Sequence, residues 1–277
     1  MENMEIFVLS VLLAACSAID VQLGPLGDNF LEQPCGTVPN FKYKIIGGHN
    51  APVATAPWMA MVIGEKGFIC GGSLIAKRFV LTAAHCVGNE DLKVHLGVLD
   101  QEEAKASNEF DVDGMFVHMD SDLGKHDIAL LRLAKPVPYA DKVSPICVLL
   151  DPLFKNLDEH IIKFRTYGWG QTQSSNSSRM LQKTSLFNLR RSECSILFPH
   201  LEIDRNHVCA ERANASTCSG DSGGPLTAIV TYDHVPTVFQ FGVTSYGFED
   251  CSKATVFTNV MAHLDWIVNT VRREGNL

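Results

Sequence analysis

Beyond residue 45 the chain is dominated by short apolar runs broken by turn residues. Pro57-Trp58-Met59-Ala60-Met61-Val62-Ile63, Gly72-Ser73-Leu74-Ile75, Lys93-Val94-His95-Leu96, Leu226-Thr227-Ala228-Ile229-Val230-Thr231 and Gln240-Phe241-Gly242-Val243-Thr244 are such runs. Runs of this length between Gly, Pro and Asp predict strands, and many of them in series predict barrels. The period changes at the C-terminal end. Val260, Leu264, Ile267 and Val271 recur at helical spacing and predict an amphipathic helix whose apolar stripe packs inward. At the other end, Ile6 to Ala15 is apolar but too short to span a bilayer comfortably. The small residues of Cys16-Ser17-Ala18 suit signal-peptidase cleavage after Ala18. Glu2 and Glu5 replace the usual basic start, which leaves a buried N-terminal helix and a lipoprotein signal lipidated at Cys16 as alternatives. No other stretch reads as transmembrane, and no internal repeat is visible.

Composition narrows the class. The 277 residues are 46% hydrophobic, enough for one large core or two small ones. The formal net charge of −8, without a basic cluster, argues against a nucleic-acid partner and serves solubility. Of nine cysteines, loss of Cys16 with a signal leaves an even set, as in oxidised secreted proteins. Sequence alone does not choose their pairing. No H-E-x-x-H or C-x-x-C spacing occurs, so neither a metal nor a cofactor is expected. Asn176-Ser177-Ser178, in a polar loop, and Asn214-Ala215-Ser216 are N-glycosylation acceptors.

The chemistry is concentrated in Gly220-Asp221-Ser222-Gly223-Gly224-Pro225. Glycines let the backbone turn sharply and aim N–H groups at a ligand. A serine held there can attack a carbonyl while the amides of Gly220 and Ser222 hold the resulting oxyanion. The same letters fit the nucleophile elbow G-x-S-x-G, but an elbow is followed by a helix, and its acid and histidine come after the serine. Here a β-branched run follows Pro225, and the chain ends at Leu277, too soon for the rest of such a sheet. Upstream lie Thr82-Ala83-Ala84-His85-Cys86 and Asp127-Ile128-Ala129-Leu130-Leu131. The order is His, Asp, Ser. On these motifs the chain, from about Ile45 to its end, resembles the trypsin/chymotrypsin family of serine endopeptidases.

The resemblance implies an all-β fold: two packed antiparallel six-stranded β-barrels, roughly 45–134 and 161–260, and a C-terminal α-helix. Residues 1–18 would be a signal peptide, 19–44 an activation propeptide and 45–277 the protease domain. Ser222 would be the nucleophile, His85 its base, and Asp127 the group that fixes the imidazole. Imidazole suits the task because it ordinarily changes charge near neutral pH. Ser245 matches a serine beside the acid, and Gly247 a residue whose backbone pairs with bound peptide. Cleavage after Lys44 would free the Ile45 amine to pair with Asp221. The implied disulfides are Cys35–Cys147, Cys70–Cys86, Cys194–Cys209 and Cys218–Cys251. A further family disulfide is replaced by Phe164 and Ala228. The family's calcium loop would hold Asp100, Glu102 and Glu103, but its first ligand position is Val98, so a solvated acidic loop is expected.

The specificity pocket would be formed by Ser216, Thr217, Gly247 and Thr255. Trypsin-like members have aspartate where Ser216 stands. Without that anion a buried Arg or Lys would be left unpaired. The branched Thr255 would shorten the pocket, so cleavage after small to medium uncharged residues is expected. These features imply a secreted, extracellular zymogen, monomeric and free of membrane once its signal is removed. Its partners would be polypeptide substrates, a separate trypsin-like activator and protein protease inhibitors. The short, cysteine-poor segment before Ile45 leans toward a digestive or simple extracellular role. The alternative class is a catalytically silent homologue used as a binding or cofactor module; such homologues usually carry a damaged triad, and here all three positions are intact.

Overall fold

The computed structural model describes residues 20–21, 31–37, 49–50, 56–122, 124–151, 154–170, 178–211, 221–248 and 254–275. Two-residue strands β1 (Asp20–Val21) and β2 (His49–Asn50) precede the barrels. The first barrel is built from β3 (Met59–Gly64), β4 (Gly67–Ala76), β5 (Phe79–Thr82), β6 (Lys93–Leu96), β7 (Glu109–Val117) and β8 (Ala129–Leu133). They close in the order β3-β4-β5-β8-β7-β6, every pair antiparallel. The runs predicted as strands at residues 57–63, 72–75 and 93–96 fall on β3, β4 and β6.

The second barrel comprises β9 (Lys163–Gly168), β10 (Gln182–Leu189), β11 (His207–Glu211), β12 (Pro225–Tyr232), β13 (Val235–Gly247) and β14 (Ala254–Asn259). Antiparallel pairing runs β9-β10-β11-β14-β13-β12 and returns from β12 to β9, a second closed circuit. Closure pairs each of these six strands on both sides. β1 lies parallel to β12 and β2 pairs with β10, outside that circuit.

Each barrel is filled from its strands. Trp58, Leu74, Val80, Leu96 and Leu130 are wholly buried in the first; Phe164, Leu226, Phe239, Phe241 and Phe257 fill the second. Burying one such side chain is worth roughly 1.5–3 kcal/mol. Phe164 and Ala228 share the second core, so apolar packing occupies the place where the resemblance would put a disulfide. The C-terminal stripe divides between two structures. Met261–His263 forms a 3-10 turn, and α2 (Leu264–Gly275) begins only at Leu264. A seven-residue helix, α1 (Arg191–Leu197), precedes β11. Buried Ile267 and Val271 of α2, and Val260 before it, join the first barrel's apolar cluster, which binds the chain end back across both barrels.

Three disulfides are formed among the described residues: Cys35–Cys147, Cys70–Cys86 and Cys194–Cys209. Cys35–Cys147 ties the segment at 31–37 to the barrels, helped by Gly36 N–H donating to the Pro145 carbonyl. One expectation is corrected. Asp100 is buried at 7% exposure rather than solvated. Its carboxylate caps a 3-10 turn at Gln101–Glu103 and accepts from both Nε and Nη2 of Arg179, at 2.8 and 2.7 Å, while Glu102 pairs with Nη1. The Arg179 guanidinium thus takes Asp100 out of solvent, whereas Glu102 and Glu103 stay exposed as expected.

Candidate active site

His85 occupies a 3-10 turn, Ala84–Cys86, immediately after β5. The turn is pinned from behind, because Cys86 is bonded to Cys70 on β4. Its imidazole is 43% exposed, whereas the Asp127 side chain is 7% exposed. Asp127 stands just before β8, and its two carboxylate oxygens are divided among three donors. Oδ1 accepts from the backbone N–H of His85 at 3.0 Å. Oδ2 meets His85 Nδ1 at 2.7 Å and accepts from Ser245 Oγ at 2.6 Å. The Asp127 carbonyl accepts from Thr258 Oγ1 at 2.8 Å. A carboxylate can only accept, so the His85 proton sits on Nδ1 and Nε2 presents a lone pair. Burial pushes the Asp127 pKa up, but the bonds and charge from His85 and the Ser245 hydroxyl outweigh it and hold it below the ordinary carboxylate value.

Ser245 lies where the β13–β14 register shifts between Thr244 and Tyr246. A bulge of this kind re-aims one side chain. Thr244 stays in the second barrel, its hydroxyl bonding the Gly224 carbonyl, while Ser245 reaches Asp127 from the first.

Ser222 sits on a tight turn before β12. Gly224 N–H donates to the Asp221 carbonyl at 3.0 Å and closes the turn. The Ser222 carbonyl accepts from Gly71 N–H of β4, and Gly223 N–H donates to the Thr244 carbonyl. Gly223 has φ +76°, and a Cβ there would stand 2.2 Å from Thr82 Oγ1 and 2.4 Å from the Gly71 carbonyl oxygen. No residue with a side chain fits that approach. Thr82 and Ala83 lead directly into His85, so the serine turn is seated on the chain that delivers the imidazole. The site thus lies on the seam: His85 and Asp127 come from one barrel, Ser222 and Ser245 from the other. A cleft of about 720 Å³ beside it is lined by His85, Val117, His118, Met119, Asp127 and Tyr246 among others.

Gly247 and Thr255 are paired across β13 and β14, and Thr255 is 1% exposed. Asp221 is half-buried; its Oδ1 accepts from Gly170 N–H at 2.9 Å. Lys44, Ile45, Ser216, Thr217, Gly220, Cys218, Cys251, Asn176, Asn214 and residues 1–18 lie outside the described residues. Sequence reasoning missed Thr258, the Thr82–Gly71–Gly223 seat, and three histidines gathered beside Asp127. None has a sequence signal, since each acts through a neighbour far along the chain.

The chain matches the family described as Trypsin across residues 45–267 and belongs to it: it is a serine protease of the trypsin family, with the chymotrypsin-like double-barrel fold. It is 33% identical over 274 residues to Serine protease ea of Drosophila melanogaster, covering 86% of this chain and 69% of that one. It is 31% identical to Phenoloxidase-activating factor 3 of Holotrichia diomphalia, covering 86% and 75%. Among solved structures it resembles the Drosophila Grass clip serine protease of the Toll pathway, with TM-score 0.76, 28% identity, and coverage of 88% of this chain and 76% of that one.

Proposed function

We propose that the chain is a secreted zymogen which, once cut after Lys44, hydrolyses peptide bonds through an acyl-enzyme at Ser222. The observation that carries this reading is the network centred on Asp127, which leaves His85 Nε2 as an acceptor beside the seated serine turn. Ser222 Oγ forms a bond to the substrate carbonyl carbon as its proton passes to His85 Nε2. The charge gained by the imidazole is opposed by the Asp127 carboxylate. The oxyanion is held by the amides of Gly220 and Ser222. Collapse breaks the C–N bond, and Nε2 returns the proton to the departing amine. Water then repeats the sequence in reverse and frees the acid.

Activation follows from the same turn. The Ile45 amine, freed by cleavage, would take Asp221 as its buried partner and order the oxyanion loop. A Lys at the cut and no anion at Ser216 together imply a separate trypsin-like activator. The pocket would take Leu, Met, Val or Ala, with Thr255 opposite Gly247 limiting its depth. The relatives named for phenoloxidase activation and the Toll pathway support a step in an extracellular proteolytic cascade over digestion. The disulfides fit an oxidising compartment. A positional-scanning peptide library offered to the cleaved chain tests the reading. Cleavage after small apolar residues, lost in Ser222→Ala, is expected; dominant cleavage after Arg or Lys would contradict the pocket, and cleavage that persists in Ser222→Ala would contradict the nucleophile.

A further inference from the structure

His118 and His126, both in the connection between β7 and β8, meet His263 from the turn before α2, and one nitrogen of each lies within 4.8 Å of the others. Another close group, Cys70, His85 and Cys86, offers no thiolate because its cysteines are joined in a disulfide. His126 Nδ1 and His263 Nε2 stand 2.9 Å apart. His263 Nδ1 faces the Asn259 carbonyl at 2.6 Å, so it holds the proton and Nε2 points its lone pair into the cluster. A backbone carbonyl behind a histidine in this way is the usual outer support of a metal ligand. His118 stacks on His126 with ring centroids 4.8 Å apart, and its Nδ1 accepts only a long 3.3 Å bond from Asp120 N–H.

We infer that His118, His126 and His263 form a binding site for a borderline divalent transition ion, with Zn²⁺ the best match, one residue from Asp127. Three imidazoles with one position left for water are a recurrent zinc donor set. Bonds of about 2.0–2.1 Å require ligand nitrogens roughly 3.3 Å apart. His126 and His263 are already near that spacing. His118 completes the set by turning out of its stack, giving up the long Asp120 bond and shifting against Trp266, whose ring lies 5.4 Å away. The proton now shared between His126 Nδ1 and His263 Nε2 must leave, to solvent or to Nε2 of His126. The cleft lined by His118, His85 and Asp127 gives the ion its way in.

Occupation bears on the reaction, and this part rests on the function proposed above. His126 is held at φ +45° directly before Asp127, so drawing its ring toward an ion pulls on the carboxylate's own backbone. The ion's charge also opposes the imidazolium that His85 must become. Zn²⁺ should therefore slow peptide hydrolysis reversibly.

The test is titration of the chelator-treated, cleaved protein with Zn²⁺ by calorimetry, with Co²⁺ as optical probe. One ion per chain is expected, with visible Co²⁺ bands of four-coordinate intensity. His118→Gln and His126→Asn (Asn tolerates positive φ) should each weaken binding by about tenfold or more and remove the bands, with melting curves showing both variants folded. His85→Ala should still bind. Unchanged binding in both cluster variants, or its loss in His85→Ala, would overturn the site. An ion bound by a chain that cleaves no peptide would uphold the site and contradict the proposed function, whereas hydrolysis indifferent to Zn²⁺ with no ion bound would do the reverse.

Discussion

Asp127 shows how one buried charge is kept usable. Burial alone would favour its protonation; three donors keep it ionised. Because its folded pKa is depressed, the stability it contributes is fully present above the unfolded carboxylate value of about 3.9. That contribution is lost as pH falls through the folded value. Ser245→Ala removes one donor, so the folded Asp127 pKa should rise and the midpoint of acid unfolding should move to higher pH. An acid-unfolding curve unchanged by the substitution would mean that Ser245 does not tune the carboxylate. Asp127→Asn keeps the shape but presents the imidazole in the wrong tautomer. The loss in kcat should approach the roughly 10⁴-fold effect of this change in the family's best-studied triad. Gly223 is a different kind of constraint. Positive φ and backbone within 2.4 Å leave no room for a methyl group. Gly223→Ala should unseat the serine turn, abolish hydrolysis and lower the melting temperature, measurable by calorimetry on the same sample.

Elements explain why these residues meet. β5 ends in the His85 turn, β8 begins beside Asp127, and the register shift in β13 sends Ser245 across the seam. The strands were legible because their apolar runs are short and punctuated. The bulge was not, since a register shift depends on what the partner strand offers. The helical stripe was legible as a period but not in its start, because Val260 to His263 pack inward before the α-helix proper begins. Within the acidic run, Glu102 and Glu103 are exposed as expected, and Asp100 alone departs because its partner Arg179 lies far along the chain. Arg179 now holds Asp100 beside the backbone bonds that join Gln101 to Arg179 and Leu99 to Leu181. The bond from Arg179 depresses the Asp100 pKa, so this pair contributes above the carboxylate range and fades as pH falls through it. Arg179→Ala should lower the melting temperature at pH 7 more than Arg190→Ala, and the gap should narrow toward pH 3. Thr255 belongs to β14, opposite Gly247. Thr255→Gly should deepen the pocket and shift the cleavage preference toward aromatic residues; an unaltered profile would place the specificity elsewhere.

At the level of the whole molecule, two closed barrels hold their halves of the site rigidly and meet along a line. In the proposed mechanism His85 and Asp127 act only with Ser222, and the three could be named as candidates from the sequence because each sits in a short motif and the motifs follow a recognisable order. What the sequence withheld is the contact between motifs: Thr258 behind Asp127, Gly71 under Ser222, and His263 brought against the His118–His126 pair from far along the chain. The proposed propeptide adds a condition, since hydrolysis would then depend on a cut at Lys44. The most direct measurement is labelling by a serine-directed phosphonate, followed by mass spectrometry, before and after that cut. One adduct per chain on Ser222 of the cleaved protein is the predicted result, with little on the intact chain and none in Ser222→Ala or in cleaved Asp221→Asn. A cleaved, folded chain that takes up no label, or takes it equally in Ser222→Ala, would contradict the proposed mechanism.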